Sequence, residues 1–142
     1  MTQTTDENLV IPSRLDRVPD ARQWLTEHAR TAGFGEGAIL DLGLVLSEAL
    51  TNVVEHAYGG ADDQEIRLSL LIDDEKLCLT IRDFGKKFDL ANYTPPDLDV
   101  PSEGGYGVFL IHELMDEVTY DTSLPTGTKL TLIRYRSAPE ED

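Results

Sequence analysis

One apolar stretch limits what this chain can become. Residues 36–58 read Glu-Gly-Ala-Ile-Leu-Asp-Leu-Gly-Leu-Val-Leu-Ser-Glu-Ala-Leu-Thr-Asn-Val-Val-Glu-His-Ala-Tyr. Ile39, Leu40, Leu42, Leu44, Val45, Leu46, Ala49, Leu50, Val53 and Val54 cover most of a helical circumference, the pattern of a helix buried on more than one side. Within it Glu48 and Asn52 stand four apart and share one face, roughly 6 Å between their side-chain roots. Two readings of that face remain open at this point. It is the solvated stripe of a surface helix, or a polar pair aimed into a pocket, because a buried carboxylate and amide need partners.

The rest of the chain must supply layers for that helix. At 142 residues a single domain is expected, large enough to bury about two-thirds of its unfolded surface without a staple. Cys78 is the single cysteine, which excludes an internal disulfide and a thiolate metal cluster and suits a reducing compartment. His28, His56 and His112 are scattered without ligand spacing, which argues against structural zinc. No basic and apolar leader opens the chain, and no stretch is read as a membrane span, so the expected location is the cytosol, away from membrane. The net charge is −15, and residues 61–121 hold fifteen acids against five bases. Such a surface repels nucleic acid. Most of those acids read as a solvated face, with some available to a basic protein partner.

Periodicity divides the chain into elements. Residues 1–8 are polar and expected to be a flexible tail, residues 9–136 the domain, and residues 137–142 an acidic flexible tail. Leu9-Val10-Ile11 is a short strand candidate stopped by Pro12. Val18, Ala21, Leu25 and Ala29 recur at helical spacing, with Pro19 in the first turn. Gly33, Gly35 and Gly37 follow, but they lie between two helices and lack the Lys-Ser/Thr of a phosphate loop. Residues 65–72 and 76–82 alternate around Asp73-Asp74-Glu75 and predict a hairpin. Asp83 keeps the parity of Leu77, Leu79 and Ile81, so its carboxylate points to the helix-covered face. Acids are rarely found there. After Phe84-Gly85-Lys86-Lys87-Phe88-Asp89 comes a Pro-rich loop of about fifteen residues, a length that is usually functional or disordered. Gly104-Gly105-Tyr106-Gly107 then opens a short apolar helix. Val118-Thr119-Tyr120 and residues 128–135 are strands, with Thr128 sharing the inward parity of Leu130 and Leu132.

Glu48/Asn52, Asp83 and Thr128 therefore converge on one layer, which points to a pocket. Gly104, Gly105 and Gly107 lie where helix N–H groups lack partners and the dipole favours an anion. A phosphate-bearing ligand fits these parts.

In their order these motifs resemble the GHKL (Bergerat-fold) ATPases. Glu48-Ala-Leu-Thr-Asn52 with its His-Ala-Tyr ending is similar to the N box. Asp83-Phe-Gly85 before Phe88-Asp89 is similar to the G1 box, Gly105-Tyr-Gly107 to the lid box, and Gly127-Thr128 to the last box. Within that family the chain most resembles the small bacterial anti-sigma-factor serine/threonine kinases. The resemblance implies an α/β (α+β) two-layer sandwich, about three helices on one face of a mostly antiparallel sheet of about five strands. It implies ATP and Mg²⁺, with Asn52 on the metal, Glu48 as general base, and Asp83 accepting the adenine amino group. Gly85 would let the ring pack close, Thr128 would support the Asp83 contact, and Gly104, Gly105 and Gly107 would wrap the phosphates. It further implies two protein partners, a sigma factor and a STAS-domain anti-sigma-factor antagonist whose Ser/Thr receives the phosphate, and a possible homodimer.

Asp83-Phe84-Gly85 is not the metal-binding triplet of eukaryotic-type protein kinases, whose other motifs are absent. A histidine kinase needs a phospho-acceptor helix upstream, for which only His28 is available. One departure from the family stands out: residues 91–111 hold no Lys or Arg, and Glu103 sits where relatives often carry a base. Phosphoryl transfer needs positive charge on the γ-phosphate beyond Mg²⁺ in most sites. Lys86, Lys87, a partner or a second subunit are its candidate sources. The same departure motivates the alternative of a nucleotide-gated binding module with little phosphotransfer.

Overall fold

The computed structural model describes residues 4–89 and 106–136, with the backbone only of Tyr106. Five strands, β1 (Thr5–Pro12), β2 (Glu65–Ile72), β3 (Lys76–Arg82), β4 (Glu117–Asp121) and β5 (Lys129–Tyr135), form one sheet in the order β1-β2-β3-β5-β4. Every neighbouring pair is antiparallel. Three helices, α1 (Val18–Thr31), α2 (Glu36–Asn52) and α3 (Tyr106–Leu114), cover one face. This is the two-layer sandwich expected from the sequence.

Alternation sets the register. Ile66, Leu68, Leu70 and Ile72 of β2 meet Leu77, Leu79 and Ile81 of β3, all at most 1% exposed, and Leu130 and Leu132 of β5 continue the layer. Against it lie Leu25 and Ala29 of α1, Leu42, Leu46 and Leu50 of α2, and Ile111 of α3. Burying a side chain of this size contributes roughly 1.5–3 kcal/mol, so this layer holds the two faces together. Gly33, at φ +97°, ends α1, and Phe34 N–H returns to the Ala29 carbonyl at 3.0 Å. A positive φ is available to glycine without Cβ strain.

Three expectations need correction. Residues 5–8 are not a loose tail: β1 begins at Thr5 and pairs residue by residue with β2. Its side chains are polar because it is an edge strand, and backbone pairing does not depend on them. The long helix does not continue as an α-helix to Tyr58. It ends at Asn52 and widens into a π turn, Val53–Ala57, with Tyr58 N–H reaching the Val53 carbonyl at 3.0 Å. As expected, α2 is buried on more than one side, through Ile39, Leu42, Val45, Leu46, Ala49 and Leu50, while Leu40 is 66% and Leu44 44% exposed. Finally, α2 with its π turn spans 22 residues at mean hydropathy 1.5, so a membrane-length apolar stretch does exist. Half of that span is buried inside the fold, which marks it as the domain's core helix.

Candidate functional site

The end of β3 meets the end of α2 and the start of β5. Asp83 leaves β3 on the covered side, as its parity predicted, and is 4% exposed, as is Thr128. Asp83 N–H donates to the Thr128 carbonyl at 3.0 Å, Gly85 N–H to Asp83 Oδ1 at 3.0 Å, and Phe88 N–H to Thr128 Oγ1 at 2.9 Å. Burial pushes the Asp83 carboxyl above its ordinary range, opposed by the backbone donors of Gly85 and Thr128 and by Arg82. The Thr128 hydroxyl already accepts from Phe88, which leaves its own proton to donate.

Two glycines make the junction. A Cβ on Gly85 would lie 2.2 Å from the Ala57 carbonyl oxygen, and Lys86 N–H donates to that same oxygen at 2.7 Å. What Gly85 lets close is therefore the last backbone of the π turn. Gly127, at φ +71°, would place a Cβ 1.9 Å from the Asp83 carbonyl oxygen. Tyr58 fixes the same corner: its hydroxyl donates to the Glu65 carbonyl at 2.5 Å and accepts from Phe84 N–H at 2.8 Å.

These elements enclose a cavity of about 370 Å³. Asn52, Asp83 and Thr128 line it, with Ala49, Val53, Ile81, Val108, Ile111 and Leu130 as its apolar walls. Phe88 and Tyr120, stacked at 4.1 Å between ring centroids and 11° between planes, form one side. Glu48 is not among the lining residues but borders Asn52's end of the cavity. A Cβ on Gly107, the second residue of α3, would stand 2.6 Å from Glu48 Oε1 and 3.7 Å from Asn52 Nδ2. The Glu48 carboxylate thus lies at the α3 N-terminus, and Asn52, half-buried one turn on, lines the cavity. Gly104 and Gly105 lie outside the described residues, as do the Pro-rich loop, Glu103 and the 137–142 tail.

Sequence reasoning missed several walls of this cavity. His56 stands four residues after Asn52, a spacing that could have signalled it. Tyr120 shares the inward parity of Val118, and Phe88 follows the Asp-x-Gly motif. Lys86 and Lys87 both line the cavity, yet they differ. Lys87 Nζ donates to the Thr122 carbonyl at 2.7 Å and to the Leu124 carbonyl. Lys86 makes no side-chain hydrogen bond or ion pair among the described residues.

The residues present suit a nucleotide and a magnesium ion. No cluster of three His, Cys, Asp or Glu side chains that could hold a metal occurs among the described residues. A lone amide oxygen lining the cavity fits Mg²⁺, which keeps waters and takes most of its other ligands from phosphate. The Asn52 amide has no hydrogen-bond partner among the described residues.

A buried carboxylate beside a threonine, an amide one helix away and a glycine-opened helix, on a three-helix, five-strand sandwich, define an ATPase domain of the histidine-kinase-like class. The family model described as Histidine kinase-like ATPase domain matches residues 11–134. The chain belongs to the RsbW serine-protein kinase family within that class. It is 40% identical to Serine-protein kinase RsbW of Listeria monocytogenes serovar 1/2a, covering 89% of this chain and 85% of the relative. It is 33% identical to Serine-protein kinase RsbW of Oceanobacillus iheyensis, covering 93% and 87%. Among solved structures, the RsbU and RsbW domains of Rv1364c from Mycobacterium tuberculosis share the fold, at TM-score 0.69 and 19% identity. That likeness covers 95% of this chain and 33% of the other.

Proposed function

We propose that the chain transfers the γ-phosphate of ATP to a Ser/Thr hydroxyl of a STAS-domain antagonist, binds a sigma factor in alternation with it, and works in the cytosol. The observation that carries the nucleotide part is the convergence of Asp83, Thr128 and Asn52 on one cavity with Glu48 at its edge. Asp83 accepts the adenine amino group and Thr128 supports the contact. Glu48 takes the hydroxyl proton as its oxygen bonds to the γ-phosphorus, while the bond to the β–γ bridging oxygen breaks and ADP leaves. Such a base contributes roughly 10²–10⁴-fold. The Asn52 amide oxygen would hold Mg²⁺, which would supply neutralisation of phosphate charge. Among the described residues, Lys86 is the lining lysine free to add to it, since Lys87 is committed to two carbonyls. Gly104, Gly105 and Gly107 supply backbone N–H groups to the phosphates.

Calorimetric titration with Mg-ATP, wild type against Asn52→Ala, tests the site. Micromolar-range binding that the substitution removes supports it, and phosphotransfer to a STAS protein, lost in Glu48→Ala, follows. Absence of wild-type binding would overturn the nucleotide reading. Nucleotide binding without transfer to any STAS partner would favour a nucleotide-gated binding module, the reading that Glu103 and the cation-free 91–111 segment motivate.

A further inference from the structure

We propose that Arg82 is a positioning residue for the choice of base: from the open face of the sheet it fixes the Asp83 backbone, and so the direction in which the Asp83 carboxylate meets the nucleotide. It rests on the reading of Asp83 as the acceptor of the adenine amino group. Arg82, the last residue of β3, alternates with inward Leu77, Leu79 and Ile81 and faces away from the helices. Its Nη1 donates to the carbonyl of Asp83 and, at 2.9 Å, to the carbonyl of Thr126. One guanidinium thus ties the exit of β3 to the turn before β5, the two segments that carry Asp83 and Thr128.

Asp83 is held at three points. Its N–H donates to the Thr128 carbonyl at 3.0 Å, and its Oδ1 accepts from Gly85 N–H at 3.0 Å. Arg82 takes the third, the carbonyl. With the N–H bond this fixes the rotations on both sides of the Asp83 Cα, from which the carboxylate projects. A cation at position 82 is disfavoured by its neighbours. Arg67 and Lys129 stand directly opposite it on the two flanking strands, and like charges across a sheet repel. Arg67 pairs with Glu65, and Lys129 has Asp121 opposite it. Arg82 makes no ion pair among the described residues, and donates instead to the two carbonyls. The Phe84 ring centre lies 4.3 Å from Arg82 Cζ and 5.1 Å from Arg67 Cζ, a contact that holds the planar guanidinium against the strand end.

Titration with the magnesium salts of ATP and inosine triphosphate separates positioning from stability, because the inosine nucleotide carries an oxygen where ATP carries the amino group that Asp83 accepts. Calorimetry should give wild type a preference for ATP of about tenfold or more. Arg82→Met keeps the apolar stem and loses the donors. It should weaken ATP binding about tenfold, leave inosine triphosphate within about threefold of wild type, and so erase most of the preference. Arg82→Gln, too short to span both carbonyls, should do the same and serves if the first variant does not fold. Arg67→Met removes the neighbouring charge and the second contact on Phe84 but neither carbonyl bond, and should keep the wild-type ratio. Melting midpoints show that each variant is folded. A folded Arg82 variant with the wild-type ratio, or one that loses both nucleotides equally, overturns the proposal and leaves the nucleotide site standing. So does an equal loss of preference in Arg67→Met, which would assign the effect to charge on the face. Wild type that binds both nucleotides alike, or neither, overturns the adenine reading and this proposal with it.

Discussion

Asp83 is the residue at which stability and recognition oppose each other. Its carboxyl is raised by burial, so the folded protein holds that proton more tightly than the unfolded chain. A raised group favours folding below its unfolded value, and that contribution is lost as pH rises through the folded value. Asp83→Asn removes the loss, so its urea midpoint should gain on wild type as pH climbs from acid through the carboxylate range to neutrality. The same change replaces an acceptor by an amide, and calorimetry should find Mg-ATP binding weakened about tenfold or more. Gly107 answers a different question. Its Cβ would meet the far end of the flexible Glu48 side chain, so Gly107→Ala should fold, move the carboxylate and lower kcat by roughly 10–100-fold, with a smaller change in KM for ATP. A KM effect with kcat intact would remove Glu48 from the chemistry.

Among the elements, α3 is held by its buried Ile111 and by a polar clamp at its C-terminus. Arg134 of β5 donates to Asp41 of α2 at 3.0 Å and to the Leu114 carbonyl at the α3 C-terminus at 2.9 Å. Both ion-pair partners are under a third exposed. Arg134→Leu leaves that carboxylate and carbonyl without their donor and should cost about 1–3 kcal/mol in urea denaturation. The strands were legible in sequence because period two survives burial: the β2–β3 hairpin and the inward parity of Asp83 and Thr128 follow from alternation alone. Glu48 and Asn52 were found as a pair for a similar reason, their spacing being helical. The π turn was not legible, because Val53 and Val54 keep helical apolar spacing while the change lies in backbone bonds such as that from Tyr58 N–H to the Val53 carbonyl. Gly85 and Gly127 were visible as glycines, but the carbonyls of Ala57 and Asp83 that they accommodate belong to other elements. β1 was placed too late because Thr5 to Asn8 carry edge-strand polarity, which reads like a tail.

For the molecule as a whole, charge is the dominant variable. A partner phosphorylated on serine gains about −1.5 to −2 charge, which a protein of net charge −15 repels. Phosphorylated antagonist should therefore bind more weakly than unphosphorylated, and the ratio of the two Kd values should shrink as salt rises and the Debye length falls from ~30 Å at 0.01 M to ~3 Å at 1 M. Equal affinities at low salt would remove electrostatic release from the cycle.

The sheet order places β5 between β3 and β4, so the nucleotide corner is made by two central strands separated by more than forty positions of chain. The β2–β3 hairpin closes locally, whereas the Asp83–Thr128 bond waits for a long loop to close, a slower and entropically dearer event. During synthesis the site therefore cannot exist until β5 has been made and docked. A molecule able to hold nucleotide is one in which β5 has docked on β3, and a chain without β5 has no pocket in which to sequester ATP.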